Sequence, residues 1–139
     1  MSLEYTITSE QVDRRGGTVH TKRAQIVFDT SRHATEHLMN PAELLLSAFA
    51  ACMLKNVERY AKILPFAYQK TVVRVHGIRQ DVPPRIARID YELTIWTAEP
   101  AHRVALLHRN LQQFGTIYNT LAESCEVTGT IQAETPTET

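Results

Sequence analysis

No charge of one sign dominates this chain, in which 15 Lys and Arg balance 15 Asp and Glu over 139 residues. A neutral chain offers no net field to nucleic acid or an anionic membrane, so neither is an expected partner. Cysteine is scarce: two residues cannot build a disulfide scaffold. No apolar run approaches the roughly 20 residues that span a bilayer, and Met1 to Leu3 opens no secretory signal. A reducing cytoplasm is the expected compartment. With five glycines the chain forms no phosphate loop, dinucleotide fingerprint or G-x-S-x-G elbow. Six histidines do not combine into a metal site. His33 and His37 fall in a polar loop, His102 and His108 lie on different faces of one expected helix, and no second ligand cluster accompanies them. No metal and no cofactor is expected.

What the chain does have is one long apolar stretch with a helix start in front of it. Asn40 to Cys52 reads NPAELLLSAFAAC. Asn40 suits the N-cap, Pro41 the first helical position, and Glu43 the carboxylate position of a capping box. Helical spacing continues through Met53, Val57, Tyr60 and Ile63. The spacing predicts about 24 residues of helix, roughly 36 Å long, from Asn40 to Leu64. A helix this apolar must be buried over most of its circumference.

Around it, Glu4 to Thr8 and Thr18 to Asp29 read as strands, with Gly16 and Gly17 between them as a hairpin turn. Thr71 to Ile78 reads as a strand, and Pro83 and Pro84 break the chain. Ala87, Ile89, Tyr91, Leu93 and Ile95 then alternate with polar residues, the pattern of a strand with one buried face. A second helix from near Pro100 carries Val104, Leu107, Leu111 and Phe114, and Gly115 bends or ends it. A short helix over Ile117 to Ala122 and a strand over Cys125 to Ala133 complete the order. Without regular β-α-β alternation, the expected class is α+β with antiparallel sheets. Residues 1–133 are expected to form one domain and the polar tail 134–139 to be disordered. The long helix needs more cover than one sheet of such a chain supplies, so an obligate dimer is expected.

Cys52 is the first candidate for chemistry. A free Cys often packs as a small hydrophobe, and no Lys, Arg or His lies within two residues of this one. Any activation must come from elsewhere in the fold. Cys125 reads as an inward strand residue, Glu43 as a cap, and Arg14 and Arg15 as solvated turn residues.

The N-P-x-E-L helix start, with Cys52 twelve residues after Asn40, together with the order of elements, resembles the OsmC/Ohr family. That is the family of osmotically inducible protein C and organic hydroperoxide resistance proteins. The resemblance implies an intertwined homodimer, with sheets from both chains wrapped around two long Cys-bearing helices. It also implies a thiol-dependent peroxidase acting on organic hydroperoxides, with an external thiol as reductant. Cys52 would be the peroxidatic thiol, Arg14 or Arg15 would stabilise its thiolate, and Glu43 would hold that Arg.

Two departures modify the expectation. The peroxidases carry Glu directly after the Pro, where this chain has Ala42, and the P-x-E-L form with Glu43 is that of more distant OsmC-like proteins. The family's resolving Cys falls on Gly115, while Cys125 aligns with an apolar strand residue, so a one-Cys cycle is expected. Glu43 lies about 13 Å along the helix from Cys52 and about half a turn away, so it would act on that thiol from the partner chain. Leu45, Phe49 and Met53 would line a pocket for an alkyl chain. The competing reading is a non-enzymatic OsmC-like domain that binds an apolar small molecule or a partner, with Cys52 as core filler.

Overall fold

A computed structural model of the chain describes residues 2–33 and 35–138. The elements are β1 (Thr8–Gln11), β2 (Gly16–Thr21), β3 (Ala24–Asp29), α1 (Pro41–Ile63), β4 (Lys70–Asp81), β5 (Pro84–Trp96), α2 (Ala101–Phe114), α3 (Thr116–Ala122) and β6 (Glu126–Glu134). They fall into two compact units, Met1–Leu45 and Leu46–Thr139.

The first unit holds a three-stranded sheet in the order β1-β2-β3, antiparallel throughout. Its first strand lies later than the expected Glu4 to Thr8, and its first turn lies earlier than Gly16 and Gly17. The chain reverses over Val12 to Arg15, where the Asp13 carboxylate accepts the backbone N–H groups of Arg15 at 2.6 Å and Gly16 at 3.0 Å. An Asx turn thus does the work expected of the glycines. Gly17 serves packing instead, since a Cβ there would stand 2.6 Å from the Phe28 ring. The single strand expected over Thr18 to Asp29 is two, reversed at Lys22, whose φ is 56°. Ile26 and Val27 point to opposite faces and are 49% and 48% exposed, so the unit leaves apolar surface on both sides of its sheet.

The helix start behaves as its residues dictate. Asn40 N–H donates to Glu43 Oε1 at 2.9 Å, and Glu43 N–H donates to Asn40 Oδ1 at 2.8 Å. This reciprocal box contributes about 1 kcal/mol. At the other end of α1, the Arg103 guanidinium donates to the carbonyls of Leu64 and Pro65. Its Nε stands 2.8 Å from Glu99 Oε2. Leu64 and Pro65 follow the last residue of α1, so the guanidinium holds the chain where it leaves the helix.

The second unit contains the main core and a sheet in the order β4-β5-β6. β4 and β5 pair antiparallel, with a register shift at Ile78/Arg79. β5 and β6 are parallel, from Arg88 opposite Glu126 to Trp96 opposite Glu134. This corrects the expectation of purely antiparallel sheets. The helices α2 and α3 carry the chain back to the end where β5 began, which is the connection a parallel neighbour requires. The class remains α+β, with one antiparallel sheet and one mixed sheet.

The alternation read in β5 is realised by Ile89, Tyr91, Leu93 and Ile95, all buried. They pack with Phe49, Met53, Val57 and Tyr60 of α1 and with Val104, Leu107 and Leu111 of α2. Phe114, expected on the same apolar face of α2, is 48% exposed and meets the Tyr60 ring at 5.8 Å between centroids. In the tail, Thr137 N–H donates to Gln69 Oε1 and Gln69 Nε2 donates to Thr137 O, both at 2.9 Å. Among the described residues no helix is long and apolar enough to cross a membrane.

His108 of α2 reaches into the core and meets the Tyr91 hydroxyl, with Nε2 and oxygen 2.7 Å apart. Partial burial lowers the His108 pKa. The folded chain therefore resists protonation there, and the unfolded chain takes up the proton first as pH falls. The stability tied to this group is intact above the unfolded value of about 6.5 and drains as pH falls below it toward the lower folded value. Urea unfolding midpoints should drop between about pH 7.5 and pH 5, and His108→Gln, which keeps an acceptor for Tyr91, should flatten that drop.

Candidate functional site

Cys52 lies in the fourth turn of α1 and is partly buried. One turn further on, Asn56 is 8% exposed and stands among the apolar buried residues of the same helix. Its side-chain Nδ2 lies 3.6 Å from Cys52 Sγ and donates to it. A mid-helix amide in an apolar core needs a partner, and the sulfur is one.

Gly115 separates α2 from α3 with φ −75° and ψ 122°, a conformation open to any residue. Space explains the glycine. A Cβ there would stand 3.0 Å from Tyr118 Cβ, 3.2 Å from Leu111 O and 3.3 Å from Asn56 Nδ2. Position 115, where the sequence resemblance puts a resolving thiol, thus adjoins the amide that touches the Cys52 sulfur. Cys125 is occupied differently, its Sγ donating to Leu121 O at 3.1 Å, and both cysteines are free.

The other sequence candidates belong to the first unit. Arg14 and Arg15 are exposed in the turn between β1 and β2. Arg15 lines a cavity of about 240 Å³ with Val12, Asp13, Thr18, Val27 and Leu38, whereas Arg14 is not among the described residues that line it. Of the two, Arg15 is the one that borders a concave, largely apolar space. Glu43 forms half of the capping box, as its spacing from Asn40 predicted.

Leu45, Phe49 and Met53, expected along one alkyl pocket, differ in exposure. Phe49 and Met53 are 1% and 4% exposed in the core, and Leu45 is 37% exposed. Steps of four residues overshoot a helical turn by about 40° each, so Leu45 and Met53 diverge by about 80° around the axis. The residues that sequence reasoning missed are Asn56 as a neighbour of the thiol and Tyr118 beside position 115. The first had a signal: it is the polar residue four positions after Cys52, on the same helix face. Among the described residues no three His, Cys, Asp or Glu side chains gather closely enough to share a metal ion.

The sequence signature of the OsmC-like protein family matches residues 34–130. No curated protein sequence matches the chain. Among solved structures, an OsmC-like protein from Mycoplasma pneumoniae matches with a TM-score of 0.87 at 20% identity, over 96% of this chain and 99% of that one. An organic hydroperoxide resistance protein from Elizabethkingia anophelis matches at 0.76 and 17% identity, over 96% and 100%. An organic hydroperoxide resistance protein OsmC from Legionella pneumophila matches at 0.72 and 14%, over 94% and 99%. At such identities these likenesses speak to fold.

The adjacency of position 115 to the thiol can be checked chemically. Gly115→Cys, combined with Asn56→Ala to remove the amide that stands 3.3 Å from a Cβ there, should form a disulfide with Cys52 under mild oxidation in a Cys125→Ser background. Mass spectrometry of the non-reduced digest would show the linked peptides. Two free thiols after oxidation would contradict the adjacency.

Proposed function

This chain belongs to the OsmC-like protein family, and on that premise we propose that it reduces organic hydroperoxides through Cys52 in a one-Cys cycle. The observation that carries the reading is a partly buried thiol whose sulfur accepts a hydrogen bond from a buried amide. The Cys52 thiolate attacks a peroxide oxygen. An S–O bond forms as the O–O bond breaks, sulfur gives up two electrons, and the alkoxide takes a proton and leaves as the alcohol. The sulfenic acid so formed condenses with an external thiol, releasing water and leaving a mixed disulfide. A second thiol attacks that disulfide and frees Cys52. Gly115 supports the one-Cys cycle, because the position beside Asn56 has no thiol to offer.

The working form in this reading is an intertwined homodimer. Its support is apolar surface left open by one chain: Leu45 and Leu54 of α1 are each 37% exposed, and Ile7 in the first unit is 58% exposed. Arg15, which borders the apolar cavity, is the preferred partner for the thiolate, with Arg14 second. Glu43 would orient that Arg from the partner chain. Ala48 and Ala51, next to Cys52 on α1, are exposed, and an apolar approach suits an alkyl peroxide better than hydrogen peroxide.

The second reading, a non-enzymatic domain with Cys52 as core filler, draws support from the burial of Phe49 and Met53 on either side of the thiol. It requires Cys52 to label only on unfolding. With dithiothreitol as reductant, the purified protein should consume cumene hydroperoxide faster than hydrogen peroxide. Cys52→Ser should lower turnover by about a hundredfold or more, and Cys125→Ser should leave it largely intact. Light scattering should give twice the mass of one chain. A dominant Cys52–Cys125 bridge after one equivalent of peroxide would replace the one-Cys cycle with a two-Cys cycle, and a stable monomer would remove the dimer.

A further inference from the structure

We propose that Asn56 is a positioning residue for Cys52, with a side-chain amide that favours the charged form of the sulfur and fixes where it sits. The inference rests on the hydroperoxide-reducing reading above. The other buried positions of α1 are Phe49, Met53, Val57, Tyr60 and Ala61, so Asn56 is the exception in an apolar row. Leucine, with the same number of side-chain heavy atoms, would carry no desolvated amide, and packing alone does not explain the choice. The distance of 3.6 Å from Nδ2 to Cys52 Sγ does. A thiol sulfur is a weak acceptor, whereas a thiolate is a charged one and draws more from the same donor. A donor fixed at that distance therefore distinguishes the two protonation states and favours the nucleophilic one.

The surroundings support this assignment. Lys55 and Arg59, the cations nearest in sequence on α1, are exposed. Gly115 leaves the amide its place, because a Cβ there would press on Nδ2 at 3.3 Å. A side chain at 115 and the amide of Asn56 thus compete for one space beside the thiol. In this chain the space is given to a donor rather than to a second sulfur. The amide is one of three groups that a Cβ at 115 would crowd, with Tyr118 Cβ at 3.0 Å and Leu111 O at 3.2 Å.

The test follows the rate of iodoacetamide alkylation with pH in a Cys125→Ser background, so that one thiol reports. Asn56→Leu should move the midpoint of the Cys52 profile upward by about one pH unit, the scale of a lost hydrogen bond to a charged group. Asn56→Asp should move it further, because a carboxylate would then face the sulfur. Mere loosening of the helix would speed labelling at every pH without moving the midpoint. Thermal unfolding identifies which variants remain folded, and the Leu variant suffices if the Asp variant does not fold. Unmoved midpoints in folded variants, with a reactive wild-type thiol, would overturn the role of Asn56 and leave the peroxidase reading standing. A wild-type thiol that labels only on unfolding would overturn both.

Discussion

One side chain, Tyr91, joins the elements of the second unit. It comes from the middle of β5, opposite Val75 of β4. Its ring meets Phe49 of α1 at 5.8 Å, Tyr118 of α3 at 6.2 Å and His108 of α2 at 5.8 Å. Against β6 the fit is so close that a Cβ at Gly129 would stand 2.2 Å from the ring. A buried phenol must also satisfy its hydroxyl. His108 and Gln112, both on α2, do so at 2.7 Å and 3.3 Å. Burial holds that phenol in its protonated form. Apolar contact sets how near the elements come, and the polar pair sets how α2 is turned over the sheet.

The surroundings of the thiol follow from this arrangement. With α2 turned by its bonds to Tyr91, its last residue, Phe114, meets Tyr60 on α1. The next residue, Gly115, comes against Asn56. Tyr118, in the first turn of α3, touches both the hub ring and the space above Gly115. Cys52 needs no special backbone of its own, because it rides on a regular helix. Its surroundings are set by which residues the rest of the core brings to that helix.

The sequence was most legible where periodicity and local chemistry agreed. The start of α1 was readable from Asn40, Pro41 and Glu43, and the buried face of β5 from strict alternation. Both depend on residues within a few positions of one another. Turns were read less well, because Asp13 and Lys22 made the reversals while Gly16 and Gly17 stayed inside β2 for the sake of Phe28. The parallel placement of β6 was not legible, since strand direction depends on how two helices cross a sheet and β6 itself carries no mark of it. Of the candidate site, Cys52 was singled out as a lone thiol in the apolar helix, and position 115 through family resemblance. Asn56 was not found, because the apolar rhythm of α1 hid a polar residue whose partner is one turn away.

The parallel strand has a consequence for how the chain is made. β6 follows every other described strand in the chain, yet its Gly129 closes the floor beneath Tyr91, and its backbone completes one edge of β5. Until those residues emerge, the nascent chain carries a two-stranded hairpin with an open edge and an uncovered aromatic ring, and it has no local contact that can replace them. Completion of the core is therefore deferred until β6 has emerged. The hydrogen bonds between Gln69 and Thr137 then fasten the segment after β6 to the start of the same sheet.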